Sequence, residues 1–108
     1  MKVYISGPIT GTTDYMKRFE WAAACWRDKG CEVIDPAKVN SFLPEDTTHE
    51  EYMKMSITML SMCDTIYILR GWRESKGALE ELEYAKAHDL NIIYEGKCPE
   101  LFGMRTEL

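Results

Sequence analysis

Short apolar runs alternate along this chain with longer stretches whose apolar residues recur every three or four positions. The first run, Val3-Tyr4-Ile5, is rich in β-formers and stops at Gly7-Pro8, which predicts a strand over residues 2–6. A loop, GPITGTT, follows. From Asp14 the pattern turns helical: Tyr15, Phe19, Ala22, Ala23 and Trp26 share one face, with Asp14 as N-cap and Gly30 as the stop beyond the last turn. CEVID, residues 31–35, reads as a second strand closed by Pro36. Residues 37–48 hold Pro44, Asp46, Thr47 and Thr48 and read as irregular. A helix is predicted over 49–62, a strand over 65–69 (TIYIL), a helix over 76–88 after the loop RGWRES, and a strand over 91–95 (NIIYE). Residues 96–108 carry Leu101, Phe102, Met104 and Leu108, whose spacing assigns them no packing partner.

The resulting order, β-α-β-α-β-α-β, indicates parallel strands joined by right-handed crossovers. TIYIL is apolar along its whole length, as a strand covered on both faces should be. The expected architecture is α/β: a flavodoxin-like three-layer domain with a parallel sheet of four strands in the order 2-1-3-4. In such sheets ligands bind beyond the carboxyl ends of the strands, where the winding reverses. That point lies between the first and third strands, so GPITG and RGWRES should face one another across a crevice.

Composition narrows the function classes. The 108 residues suit one domain, 1–108, with 96–108 as its C-terminal tail. A net charge of −5 argues against binding a nucleic acid polymer through its phosphates. No basic segment precedes an apolar stretch with a cleavage site, and no apolar run nears the ~20 residues of a membrane span, so a cytoplasmic protein is expected. Cys25, Cys31, Cys63 and Cys98 form no CxxC pair and have no histidine at ligand spacing, which predicts reduced thiols and no metal site.

The chain contains neither GxGxxG nor GxxxxGK[ST], which disfavours redox Rossmann domains and P-loop nucleotidases. GxSxG is absent too. His49 and His88 fall at helix ends, where a solvated role is the plain expectation. The loop around Gly7 and Gly11 suits either close approach of backbone to an anion or sugar, or simply a tight strand-to-helix turn. In the helix from Lys76, Ala78, Leu82 and Ala85 make the apolar stripe. At about 100° per residue, Glu81 lies beside that stripe, while Glu80 and Glu83 face away. Glu81 is therefore either a carboxylate tuned by partial burial near the crevice or a helix-flank glutamate held by the helix dipole. Ser75 reads as an N-cap that can also meet a ligand. Trp72 either stacks on a base or sugar or covers the core edge. Tyr4 lies inside the first strand, a core position from which its hydroxyl can reach a carboxylate at the strand end.

YISGPITG and CDTIYILRGWRESKGALEELEYA together resemble the nucleoside 2-deoxyribosyltransferase superfamily, which includes the deoxynucleoside 5′-monophosphate N-glycosidases. Within it the chain resembles in particular a family of short bacterial and phage proteins described as a domain of unknown function. The resemblance spans roughly residues 2–95. It implies an N-glycosidase or 2-deoxyribosyltransferase that acts on a nucleoside or nucleotide, without a cofactor. It implies Glu81 as nucleophile, Tyr4 as the tyrosine that steadies it, Gly7, Pro8 and Gly11 as the sugar- or phosphate-binding loop, and Ser75 as a phosphate contact. Gly77 belongs to the same helix-start motif, and Trp72 to the loop before it. The chain departs from the family in two places. The monophosphate hydrolases carry a serine and an arginine where this chain has Pro8 and Thr10, which implies a weak phosphate requirement unless Arg73 or Lys76 supplies the contact. Many catalytic members carry an aspartate where this chain has Ser56. Asp35 and Asp64 are the substitute acids to consider, with Asp64 at the wrong end of the sheet. A non-catalytic nucleotide-binding module, or a structural protein keeping only the fold, is the alternative.

The helix over 49–62 has Tyr52, Met53, Met55, Ile57, Met59, Leu60 and Met62 around most of its circumference. A sheet covers only one side of a helix, so a homodimer or larger homo-oligomer is expected.

Overall fold

The computed structural model describes residues 1–9 and 13–96. Gly11, Thr10, Cys98 and the tail beyond Gly96 lie outside the described residues, and so do the expectations placed on them. Four strands, β1 (Lys2–Ser6), β2 (Glu32–Ile34), β3 (Thr65–Ile68) and β4 (Asn91–Tyr94), form one parallel sheet ordered β2-β1-β3-β4. The helices are α1 (Tyr15–Asp28), α2 (Pro36–Asn40), α3 (His49–Ser61) and α4 (Lys76–Ala87). The fold is the expected flavodoxin-like α/β arrangement.

Alternation along the strands sorts the core into two halves. Val3, Ile5, Tyr67 and Leu69 pack on one face against Phe19, Ala22, Ala23 and Trp26 of α1. Tyr4, Ile66 and Ile68 pack on the other against Met59 and Leu60 of α3 and Leu82 and Ala85 of α4. β1 and β3 are buried over nearly their whole length, which is why their sequences are almost unbroken runs of apolar residues. Among the described residues no helix is long and apolar enough to cross a membrane.

Three local expectations change. Residues 37–48 are not wholly irregular, because α2 occupies their start: the Asp35 side chain accepts from the Lys38 amide, and Pro36 stands in the first turn. Five residues are too few to show a helical period. Asp14 precedes α1 but makes no side-chain capping bond. The loop after β3 contains a 3₁₀ turn, Trp72–Glu74.

At the switch point the two loops touch. A Cβ on Gly7 would stand 2.8 Å from the Leu69 Cβ, so the chain leaving β1 passes against the end of β3 with no room for a side chain. Gly71, at φ +89°, lies across from Pro8, whose Cγ would be 3.2 Å from any added Cβ. Both glycines are where backbone has to come close to backbone or ring.

Candidate functional site

Ser75 begins α4 by accepting a hydrogen bond from the Ala78 amide, which caps the helix's first turn. With Ala78, Leu82 and Ala85 packed inward, Glu81 also turns inward and is only 6 % exposed. Glu83 faces solvent, and Glu80 reaches sideways to His49, 3.1 Å between Oε2 and Nε2. Of the three glutamates, then, Glu81 alone is buried.

Two strand side chains receive it. Tyr4 and Ser6 stand two apart on β1 and so point to the same face. The Tyr4 hydroxyl donates to Glu81 Oε2 at 2.5 Å, and the Ser6 hydroxyl donates to Oε1 at 2.6 Å. Each carboxylate oxygen thus has its own donor. Burial raises the Glu81 pKa to about 7, and the Ser6 and Tyr4 hydrogen bonds hold it from rising further. Burial, with the adjacent Glu81 carboxylate, pushes the Tyr4 phenol well above its ordinary value, so it stays a proton donor.

Above this pair opens a cleft of about 760 Å³, the size of a small-molecule site. Gly7 and Ile9 from the first loop and Glu74, Ser75, Lys76 and Gly77 at the start of α4 line one part of it. The opposite part comes from Asn40 on α2, His49, Tyr52, Met53 and Ser56 on α3, and the segment between these helices. Glu81 lies on its lining. A buried carboxylate with two donors, poised near neutrality at the wall of such a cleft, can act as a nucleophile or a base.

Residues 1–94 match the family model described as a domain of unknown function (DUF4406). The chain belongs to that family. Among solved structures this DUF4406 chain is similar to the 2-deoxyribosyltransferase of the psychrotolerant bacterium Bacillus psychrosaccharolyticus, with a TM-score of 0.69 and 16% identity over 87% of this chain and 71% of that chain. That protein is described as a biocatalyst for the synthesis of antiviral and antitumoral nucleosides. At this identity the likeness shows the shared fold. No curated protein matches by sequence.

The DUF4406 chain brings together Glu81, Tyr4, Gly7, Ser75 and Gly77 around one cleft, with Tyr4 reaching it through Glu81. Pro8 is buried against Gly71 and is not part of the lining. Trp72 is not part of it either: its ring lies 5.4 Å from that of Tyr94, with the Arg73 guanidinium stacked 4.6 Å from its centre. This is the edge-covering role. Asp35 is held as the α2 cap, and Asp64 accepts from the Lys2 amide at the opposite end of the sheet. Ser56 lies in the lining as a buried residue and accepts a hydrogen bond from the Asn40 amide Nδ2 at 3.3 Å.

Sequence reasoning missed Ser6, Asn40 and His49. Ser6 had a signal, its two-residue spacing from Tyr4. Asn40 had none, since a helix-end asparagine reads as an ordinary turn residue, and His49 acquires its place only through the approach of α3 to α4.

Proposed function

We propose that this protein cleaves the N-glycosidic bond of a nucleoside or nucleotide, with Glu81 as the nucleophile. The observation that carries the reading is the buried Glu81 carboxylate, gripped by Tyr4 and Ser6 on the wall of the cleft. A Glu81 oxygen attacks the anomeric carbon, and the base leaves with the electron pair of the broken C–N bond. Water or a second base then opens the glycosyl ester, which separates hydrolysis from transfer. The carboxylate supplies the attacking electron pair, so the chemistry requires no cofactor. Gly7, Ser75 and Gly77 contact the sugar or its 5′ substituent, and Lys76, also in the lining, offers a cation to a phosphate. The protein works in the cytoplasm as a homo-oligomer.

A panel of nucleosides and their 5′-monophosphates, scored for free base, tests this. Release of base by the native protein and none by Glu81→Ala is the expected result; no release from any member overturns it. A second reading is favoured by Ser56, since many catalytic members of the resembling superfamily carry an aspartate there. On that reading the domain binds nucleotides without cleaving them, and calorimetry would record binding where the panel records no base.

A further inference from the structure

The proposed reaction leaves one task without an owner. As the C–N bond breaks, the departing base takes the electron pair and needs a proton, which Glu81, acting as the nucleophile, does not supply. The acids expected from the sequence are elsewhere: Asp35 caps α2, and Asp64 lies at the opposite end of the sheet. Ser56 is bonded to the Asn40 amide and has no acidic proton to give. Among the described residues that line the cleft, His49 alone carries an imidazole, the side chain suited to give and take a proton near neutral pH.

His49 is also held as an acid–base group has to be. Its Nε2 lies 3.1 Å from Glu80 Oε2. An ionised carboxylate only accepts, so Nε2 carries a proton and Nδ1 is left to exchange one. Among the described residues Nδ1 has no hydrogen-bond partner. A Cβ at Gly77 would lie 3.9 Å from His49 Cε1, the ring atom between the two nitrogens. Gly77 stands four residues before Glu81 on α4, and such residues share a face at about 5–6 Å. The nitrogen-bearing edge of the ring therefore lies about one helical turn from the nucleophile, a gap that a base attached to the carbon under attack can span. We propose that His49, oriented by Glu80, is the general acid that protonates the departing base. The imidazolium gives its Nδ1 proton to the base as the C–N electron pair goes to the base, while Nε2–H stays on Glu80. The neutral Nδ1 then takes a proton from the water whose oxygen attacks the anomeric carbon. The ester C–O electron pair returns to Glu81, and the imidazolium is restored. Glu80→Gln keeps an oxygen that can accept from Nε2, so it preserves the orientation of the ring. The assignment rests on the N-glycosidase reading, since without a departing base there is nothing to protonate.

The experiment varies the leaving group. The nucleoside that the native chain cleaves fastest is compared with two relatives on the same sugar that need no acid. One is the p-nitrophenyl glycoside, which departs as a stable phenolate; the other is a 7-methylpurine nucleoside, whose cationic base departs neutral. His49→Gln should lose about a hundredfold or more on the ordinary nucleoside and less than about tenfold on the activated relatives. Equal losses on all of them overturn the proposal, because a residue that only binds or shapes the cleft does not sense the leaving group. A loss below about tenfold on the ordinary nucleoside overturns it as well. Where the native chain cleaves neither activated relative, the pH profile of kcat/KM decides. The rise through about 7 set by Glu81 should be followed by a fall as His49 loses its proton, and the fall should be gone in His49→Gln. A fall that persists in the variant overturns the proposal. The charged groups around the ring are Glu80 on α4, Glu50 and Glu51 in its own first turn, and Glu45, Glu74 and Lys76 in the cleft lining; none is altered in this variant. If the native chain releases base from no substrate, the N-glycosidase reading falls and this assignment with it. Release by the native chain with equal losses in the variant removes this assignment alone.

Discussion

A carboxylate one turn into a helix ordinarily sits in water, and Glu81 does not. Replacing it by glutamine should remove base release by several orders of magnitude, as loss of a covalent nucleophile does. Glu80→Gln should leave most activity in place, because Glu80 is half-exposed and spent on His49. The reverse ranking, measured as free base per minute, would mean that the wrong glutamate has been chosen. The raised pKa also fixes two pH dependences. Under the proposed mechanism activity should climb as pH passes through about 7, since the attack needs Glu81 in its ionised form. Stability should run the other way. Between 4.5, the unperturbed value, and about 7 the native state holds a proton that the unfolded chain has released. The contribution is therefore fully present below the lower value and lost as pH rises through the upper, by about 3 kcal/mol in all. Urea melts at several pH values should show that fall, and Glu81→Gln should flatten it. The inward phase of Glu81 was legible from the positions of Ala78, Leu82 and Ala85, whereas its pKa was not, because that depends on what lies across the gap.

At the scale of elements, most boundaries follow from local chemistry. The strand expected over 2–6 is Lys2–Ser6, and the helix expected over 49–62 is His49–Ser61, opened by a capping box between Thr48 and Glu51. Loop approach is different, since it depends on which strands become neighbours. Gly7→Ala should destabilise the protein by about 1–3 kcal/mol, because the added methyl would meet Leu69 at the crossing of two buried strands. A chemical melt checks it, and an unchanged midpoint would mean that the loop yields freely. Ser75→Ala should cost about 1 kcal/mol through the lost cap. If Ser75 also touches substrate, KM should rise in that variant as well; an unchanged KM assigns it to the cap alone.

For the molecule as a whole, the outer side of α3 bears on assembly. Ser56, Met59 and Leu60 are buried, while Met55 is 39% and Met62 53% exposed. Part of the apolar surface expected to need a partner is taken up within the chain, since Met59 and Leu60 pack in the core and Ile57 packs against it. We propose that the exposed methionines meet a second copy. Light scattering at micromolar concentration should give a mass of at least two chains, falling to one in Met55→Lys; a native mass near 12.5 kDa would remove the proposal.

Strand order, helix phase and the meeting of the two loops at the switch point were all determined by the sequence alone. Hydrophobic period, turn residues and the handedness of crossovers act over a few residues at a time, and each left its mark in SGPITG, TIYIL or SKGALEEL. What tertiary structure decided is the set of contacts between elements far apart in the chain. Ser6 and Tyr4 close on Glu81 across 75 and 77 residues. Asn40 meets Ser56 from a helix too short to announce itself. Trp72 turned to Tyr94 instead of the cleft. Such contacts depend on where whole helices come to rest against the sheet, a balance of burial over many side chains, and no local pattern encodes that balance.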